Sequence, residues 1–240
     1  VKLIVAYDGT NYHGWQTQPN AVSIEEVLNH HLSELLKEEI KVIGASRTDA
    51  GVHALGNVAV FDTSARMPAD KISYALNTRL PEDIRIQDSC EVLSDFHPRF
   101  QKTTKTYEYR ILNRRFPDPT RRLNSFFYYY PLDVVKMQEA SLYLVGEHDF
   151  KSFCTEKPEV TNTVRTIYSL NVIKEGDMII IRVTGNGFLY NMVRIIAGTL
   201  IRVGGGFIEP QQIKKILEAK DRTLAGETAR PEGLTLIGIR

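Results

Sequence analysis

Cysteine is scarce: the chain has two, Cys90 and Cys154, in 240 residues. They are far apart and match neither a metal-binding spacing nor a disulfide framework. A stapled mini-domain and a zinc ribbon are thereby excluded, and both are expected to be thiols in a reducing cytoplasm. An excess of one charge is also lacking. Thirty basic side chains stand against 29 acidic ones, a formal net charge of +1, so affinity for a polyanion must be a local property. No apolar run reaches the ~20 residues that a membrane-spanning helix needs. The nearest, MVRIIAGTLIRV at 192–203, is shorter and carries two arginines. No secretory n-region and h-region is found.

Several catalytic signatures are missing too. There is no G-x-x-x-x-G-K-[ST] loop, and VGGGF at 203–207 follows a helical pattern, the wrong context for a dinucleotide fingerprint. GASRT lacks the G-x-S-x-G elbow of a serine hydrolase. His30 and His31 are adjacent, and His13, His53, His97 and His148 are scattered. The expectation is no metal and no cofactor.

What is present is an apolar fraction of 42%, enough for a packed core and outside the disordered class. Periodicity then gives an element order. VKLIVAY at 1–7 alternates as a strand, and Ser23 with Glu26 forms a capping box before the apolar face Ile24, Val27, Leu28, Leu32, Leu35 and Leu36. A strand ends near Gly44, another runs through 57–63, Pro68 opens a helix with Ile72, Leu76 and Leu80, and DIRIQDSCEVL returns to strand. The first hundred residues thus read β-α-β-β-α-β, a ferredoxin-like order. A second α+β unit of similar build follows: strands at 104–112 and in SFFYYY, a helix from Asp133 to Gly146, strands VRTIYSLNVI and MIIIRVTG, helices at 191–203 and 210–220, and a last strand LTLIGI. The expected domains are 1–100 and 101–240.

Two local features suit nucleic acid. Residues 99–122 hold Arg99, Lys102, Lys105, Arg110, Arg114, Arg115, Arg121 and Arg122 against Glu108 and Asp118, a local excess of six positive charges. Phe100, Tyr107, Tyr109 and Phe116 are interleaved, offering cations for phosphate and rings for unstacked bases. A merely solvated loop is the alternative. TNYHGWQTQ adds Tyr12, His13, Trp15 and Gln16, either to the same groove or, for Trp15, to the core.

The third feature is GASRTDAGVHA at 44–54. In extended chain, residues i and i+2 share a face, so Arg47 and Asp49 project together with Thr48 opposite. Gly44 and Gly51 permit tight turns and close backbone approach. An ionised Asp49 can be a nucleophile, a base or a salt-bridge partner. Arg194 lies in the apolar helix YNMVRIIAGTLI, where a buried guanidinium needs an anion. Asp49 is one candidate; the other course is for Arg194 to snorkel to solvent.

GASRTDAGVHALGNV, YDGTNYHGWQTQP, FHPRFQKTTKTYEYRI, GEHDFKSF and GNGFLYNMVRIIAGTL together resemble the tRNA pseudouridine synthase A family, over essentially the whole chain. The family's aspartate falls on Asp49, its K-x-Y-x-Y tyrosine on Tyr107 and its N-M-V-R arginine on Arg194. Asn57 stands where the family pattern has glutamine. The resemblance implies two ferredoxin-like halves sharing one mostly antiparallel sheet, with helices on one side and a central active-site cleft. It implies conversion of uridine to pseudouridine in the tRNA anticodon arm, at positions 38 to 40, without metal or cofactor, by a homodimer whose subunits both touch the anticodon stem-loop. Asp49, Tyr107 and Arg194 are the expected catalytic residues. Tyr107, Arg47, Thr48, His53, Tyr12, Trp15, Gln16 and Lys105 are the expected substrate contacts. A noncatalytic tRNA-binding chaperone of the same fold and a small-molecule aspartyl hydrolase are the competing functions.

Overall fold

Alternating residues open the first element: Leu3, Val5 and Tyr7 of strand β1 (Lys2–Tyr7) are buried while their neighbours are half-exposed. The computed structural model describes residues 1–99, 103–155 and 161–240, and these fall into two compact units.

The first unit comprises residues 1–103 and 235–240. Helix α1 (Ile24–Leu36) begins where Ser23 accepts a hydrogen bond from the Glu26 N–H at 3.2 Å, and it ends at Lys37 with positive φ. Ile24, Leu28, Leu32 and Leu36 form its buried stripe. Strands β2 (Ile43–Gly44) and β3 (His53–Val60), helix α2 (Ala69–Asn77) and strand β4 (Ile84–Cys90) complete the expected β-α-β-β-α-β order. The sheet runs β4-β1-β3, with β2 antiparallel on β3. The chain's last strand, β10 (Leu234–Ile239), joins it, pairing parallel with β3 at Thr235–His53 and Leu236–Ala54. This departs from the expected 101–240 domain. The final strand belongs with the N-terminal residues because β2 covers only the Ala59–Val60 end of β3 and leaves the His53 end to be paired.

The second unit, 104–234, contains β5 (Lys105–Asn113), β6 (Phe126–Tyr128), α3 (Val134–Leu142), β7 (Gly146–Asp149), β8 (Val164–Glu175), β9 (Met178–Gly185), α4 (Met192–Gly204) and α5 (Gln212–Ala219). Its sheet order is β5-β9-β8-β7, antiparallel throughout, with β6 parallel on β5. β7 was not anticipated: four residues, GEHD, carry no alternation to read. α3 likewise stops at Leu142, short of Gly146, which instead starts β7 with φ +112°. α4 is apolar almost all round and mostly buried, as a helix enclosed within a fold must be. Both units are mixed α+β with mainly antiparallel sheets, and no helix of the described residues is long and apolar enough to cross a membrane.

Candidate active site

Asp49 lies in the first unit, in the non-regular segment between β2 and β3. Burial alternates along it: Ser46 and Thr48 are buried, Arg47 is exposed and Asp49 half-buried. Arg47 and Asp49 thus share the outer face, as the i, i+2 spacing requires.

A second loop, 8–16, cradles this segment. The Trp15 N–H donates to the Thr48 carbonyl at 3.0 Å and the Gly51 N–H to the Tyr12 carbonyl at 3.2 Å. Gly14 adopts φ +86°, and a Cβ there would fall 2.5 Å from the Thr48 oxygen, so only glycine fits both the turn and the approach. Val52 donates to the Asp49 carbonyl at 3.1 Å and Gly51 takes φ +75°, closing the turn after the aspartate. The TNYHGW and RTDAG motifs are therefore two halves of one structure.

Gly44 shows why Trp15 is where it is. A Cβ on Gly44 would lie 2.3 Å from the indole, which is fully enclosed. Trp15 thus presents no surface to a ligand and is corrected from a substrate contact to a core anchor. Tyr12 is similarly buried, its hydroxyl donating to Asp83 at 2.5 Å. Burial and that carboxylate push the phenol far above its ordinary range. It braces the loop rather than facing outward. His53 is 7% exposed, and its Nδ1 lies 3.1 Å from both the Gly9 N–H and Asp8 Oδ1. One nitrogen serves one of these at a time: unprotonated it accepts from Gly9, protonated it donates to Asp8. Burial acts to raise the Asp8 carboxyl, but the Thr10 hydroxyl and N–H and His53 outweigh it and hold it below its usual range. His53 therefore ties the loop base together. Gln16 is exposed on the same loop.

Arg99 was counted only as part of the basic segment. Its Nε donates to the Gly44 carbonyl at 2.8 Å. Burial and then the neighbouring Arg47 charge lower its pKa. Arg99 thus holds the end of β2 just before Asp49's segment and feels the Arg47 charge.

The remaining expected residues lie in the second unit. Tyr107, on β5, is 7% exposed and meets Phe188 edge-on at 5.3 Å between ring centroids. Lys105, half-buried, starts the same strand and the same face. Arg194 stands in the first turn of α4, half-buried. Its Nε donates to the Ala229 carbonyl at 2.7 Å and its Nη1 to Asn191 Oδ1 at 3.0 Å, while the Ala229 N–H donates back to the Arg194 carbonyl at 3.1 Å. The guanidinium is held by neighbours rather than trailing into solvent.

Much of the 99–122 charge is already engaged. Arg110 and, from β9, Arg182 both hold Glu108, which is 3% exposed. Burial acts to raise this carboxyl, but the two arginines prevail and lower it. Arg114 pairs with Asp177 at 3.4 Å and Arg121 with Asp118 at 3.6 Å. Arg115 stacks 5.1 Å above Phe116. Arg122 donates to the Pro119 carbonyl. Phe100 and Lys102 lie outside the described residues. On α1, His30, His31 and Glu34 bring their ligand atoms within 4.8 Å of one another, on a mostly exposed face.

Sequence reasoning missed Asn57, Tyr7 and the Glu108 ion pairs as structural determinants. The signal for Asn57 was available: a lone amide inside HALGNVAV, a strand otherwise made of apolar residues and glycine apart from its first histidine.

A family model described as tRNA pseudouridine synthase matches residues 3–101 and 140–240. Curated relatives called tRNA pseudouridine synthase A include those of Thermoanaerobacter sp. (strain X514), 50% identical over 239 residues with 100% of this chain and 98% of the relative covered, and of Ruminiclostridium cellulolyticum, 50% identical over 240 residues with the same coverage. That of Exiguobacterium sibiricum is 48% identical over 235 residues, 98% of this chain and 94% of the relative. A solved structure, "Crystal Structure of a Cbf5-Nop10-Gar1 Complex", overlaps 98% of this chain and 56% of its own at 14% identity and a TM-score of 0.31, too distant to carry an argument. Matched by the family model over most of its length and by relatives at half identity from end to end, this chain belongs to the tRNA pseudouridine synthase family.

Proposed function

We propose that this protein isomerises uridine to pseudouridine in the anticodon arm of tRNA, at positions 38 to 40, with Asp49 as the acting carboxylate. The single observation that carries this assignment is the outward pair Arg47 and Asp49, set on a segment locked from behind, with Arg99 beside it. A fixed carboxylate flanked by cations suits chemistry on an anionic polymer.

The target base must leave its stack, which costs a few kcal/mol. Arg47 and Arg99 offset that cost through phosphate contacts, and the flat Arg47 guanidinium can fill the vacated stack. The reaction breaks the N1–C1′ bond, turns the uracil and joins C5 to C1′. The proton lost from C5 balances the one gained at N1, so no redox partner enters. Asp49 acts either by attacking sugar or base, or by removing the C2′ proton. Tyr107 supplies a flat ring for the uracil and a phenol for proton transfer. Arg194, oriented by Ala229 and Asn191, keeps the carboxylate ionised. Lys105 contributes a cation for the backbone. The active species is a cytoplasmic homodimer with both subunits on the tRNA.

The test is a map of pseudouridine in tRNA from a strain lacking this gene, before and after restoring it. Asp49→Asn should bind tRNA, with affinity falling steeply as salt rises through counterion release, and should make no pseudouridine. A restored phenotype with Asp49→Asn would favour the noncatalytic chaperone instead. Activity indifferent to both tRNA and salt would favour the hydrolase.

A further inference from the structure

Asn57 sits in the middle of β3, 0% exposed, among the buried Ala54, Val58, Ala59 and Val60. Its Nδ2 donates to the Ser46 carbonyl at 3.0 Å and to the Tyr7 hydroxyl at 3.3 Å. That hydroxyl shares a 2.7 Å hydrogen bond with Thr48 Oγ1. Tyr7 is 4% exposed, on β1. Because the Ser46 carbonyl can only accept, the amide's orientation is fixed. Its Oδ1 is then turned away, buried and without a partner among the described residues.

The amide serves two buried acceptors but leaves its own oxygen unmatched, a local violation of the kind that marks functional positions. The groups it reaches are informative. Ser46 and Thr48 are the two inward residues of the segment whose outward residues are Arg47 and Asp49.

We propose that Asn57 and Tyr7 are positioning residues for Asp49, forming a buried pin that fixes the rotation of residues 46–49. Anchoring the segment at two alternate residues sets the direction of the residues between and after them. A single anchor would let the segment twist about its own axis. The backbone bonds from Trp15 to Thr48 and from Val52 to Asp49 hold the segment in place along its length. The pin acts on its rotation. This inference rests on Asp49 being the acting carboxylate.

Tyr7→Phe removes one oxygen and leaves the ring against Trp15, with centroids 6.0 Å apart. Asn57→Leu replaces the amide with an apolar group of similar size. For each variant the melting temperature, the tRNA Kd and the single-turnover rate of pseudouridine formation at saturating tRNA are measured. Both variants should bind tRNA as the parent does and react on the order of ten- to hundred-fold more slowly, since a misplacement of about 1 Å costs roughly that much. Tyr7→Phe combined with Thr48→Val should be no slower than the slower single variant, because both break one network. Asn57→Leu strands the buried Ser46 carbonyl and should melt lower than the parent, so its rate is read well below its melting temperature; a slow reaction there with the parent tRNA Kd is what a purely structural role would not give. If Asn57→Leu does not fold, Tyr7→Phe carries the test. A folded Tyr7→Phe with the parent rate, or a rate loss that only follows weakened tRNA binding, overturns the proposal. Asp49→Asn run alongside separates the two levels. If it is inert while Tyr7→Phe is fully active, the pin alone fails. If it is active, the assignment of Asp49 fails and takes the pin with it.

Discussion

Gly198, in the middle of α4, sets two effects of opposite sign against each other. Replacing a helical glycine by alanine gains about 1 kcal/mol of intrinsic helix stability. At Gly198, however, a Cβ would lie 1.9 Å from the Glu227 carbonyl oxygen, an atom of the backbone that no rotamer change can move. Ordinary contact begins near 3.4 Å, so the 226–229 segment must retreat by about 1.5 Å. Overpacking of this kind costs roughly 1–3 kcal/mol. The retreat also strains the buried hydrogen bond from the Gly226 N–H to Thr199 Oγ1, 2.9 Å long, whose loss costs about 1–3 kcal/mol. The clash therefore wins, and Gly198→Ala should destabilise by about 2–4 kcal/mol net of the helix gain. For a chain of this size that lowers Tm by roughly 5–15 °C. Gly238→Ala, whose Cβ meets nothing within 4 Å, should leave Tm unchanged. Thermal melts and urea titrations of both variants read this directly. Because Ala229 moves with the segment and holds the Arg194 guanidinium, Gly198→Ala should also slow pseudouridine formation at temperatures where it remains folded. A Gly198→Ala protein as stable as its parent, or more stable, would refute the reasoning.

Two further outcomes follow from side chains described above. Glu108 has a lowered pKa in the folded protein, so its contribution is complete above the ordinary glutamate range near pH ~4.3 and is lost as pH falls through the folded value; Glu108→Gln should flatten that acid limb in a stability-versus-pH series and cost about 1–3 kcal/mol at neutral pH. Trp15→Ala should cost about 3–5 kcal/mol as a core cavity, seen in denaturant unfolding, whereas a substrate contact at Trp15 would instead weaken tRNA binding with Tm intact.

The fold was legible wherever a period was sustained. α1 and α2 follow their apolar stripes, and the first six elements follow in the expected order, because each is long enough for burial to impose its pattern. The destination of β10 was not legible: LTLIGI reads as a strand in any company, and only the uncovered end of β3 decides its partner. At the site, the i, i+2 relation of Arg47 and Asp49 came directly from strand geometry. The fates of Trp15, Tyr12 and His53 did not, because an aromatic or imidazole beside a glycine-rich turn serves equally well as a ligand or as a brace. What decides is the depth of packing, set for Trp15 by the absent side chain of Gly44. Likewise, a run of cations in sequence says nothing of which are already matched. Glu108 and Asp177 engage Arg110 and Arg114 from within the unit.

The pairing of Thr235 and Leu236 with His53 and Ala54 bears on how the protein is made. During synthesis, the His53 end of β3 has no parallel partner until the residues that follow it, through 235, have been added. It pairs only when residues 235–240 have cleared the ribosome. A premature stop anywhere before residue 235 would leave His53, and the turn above it, without that support.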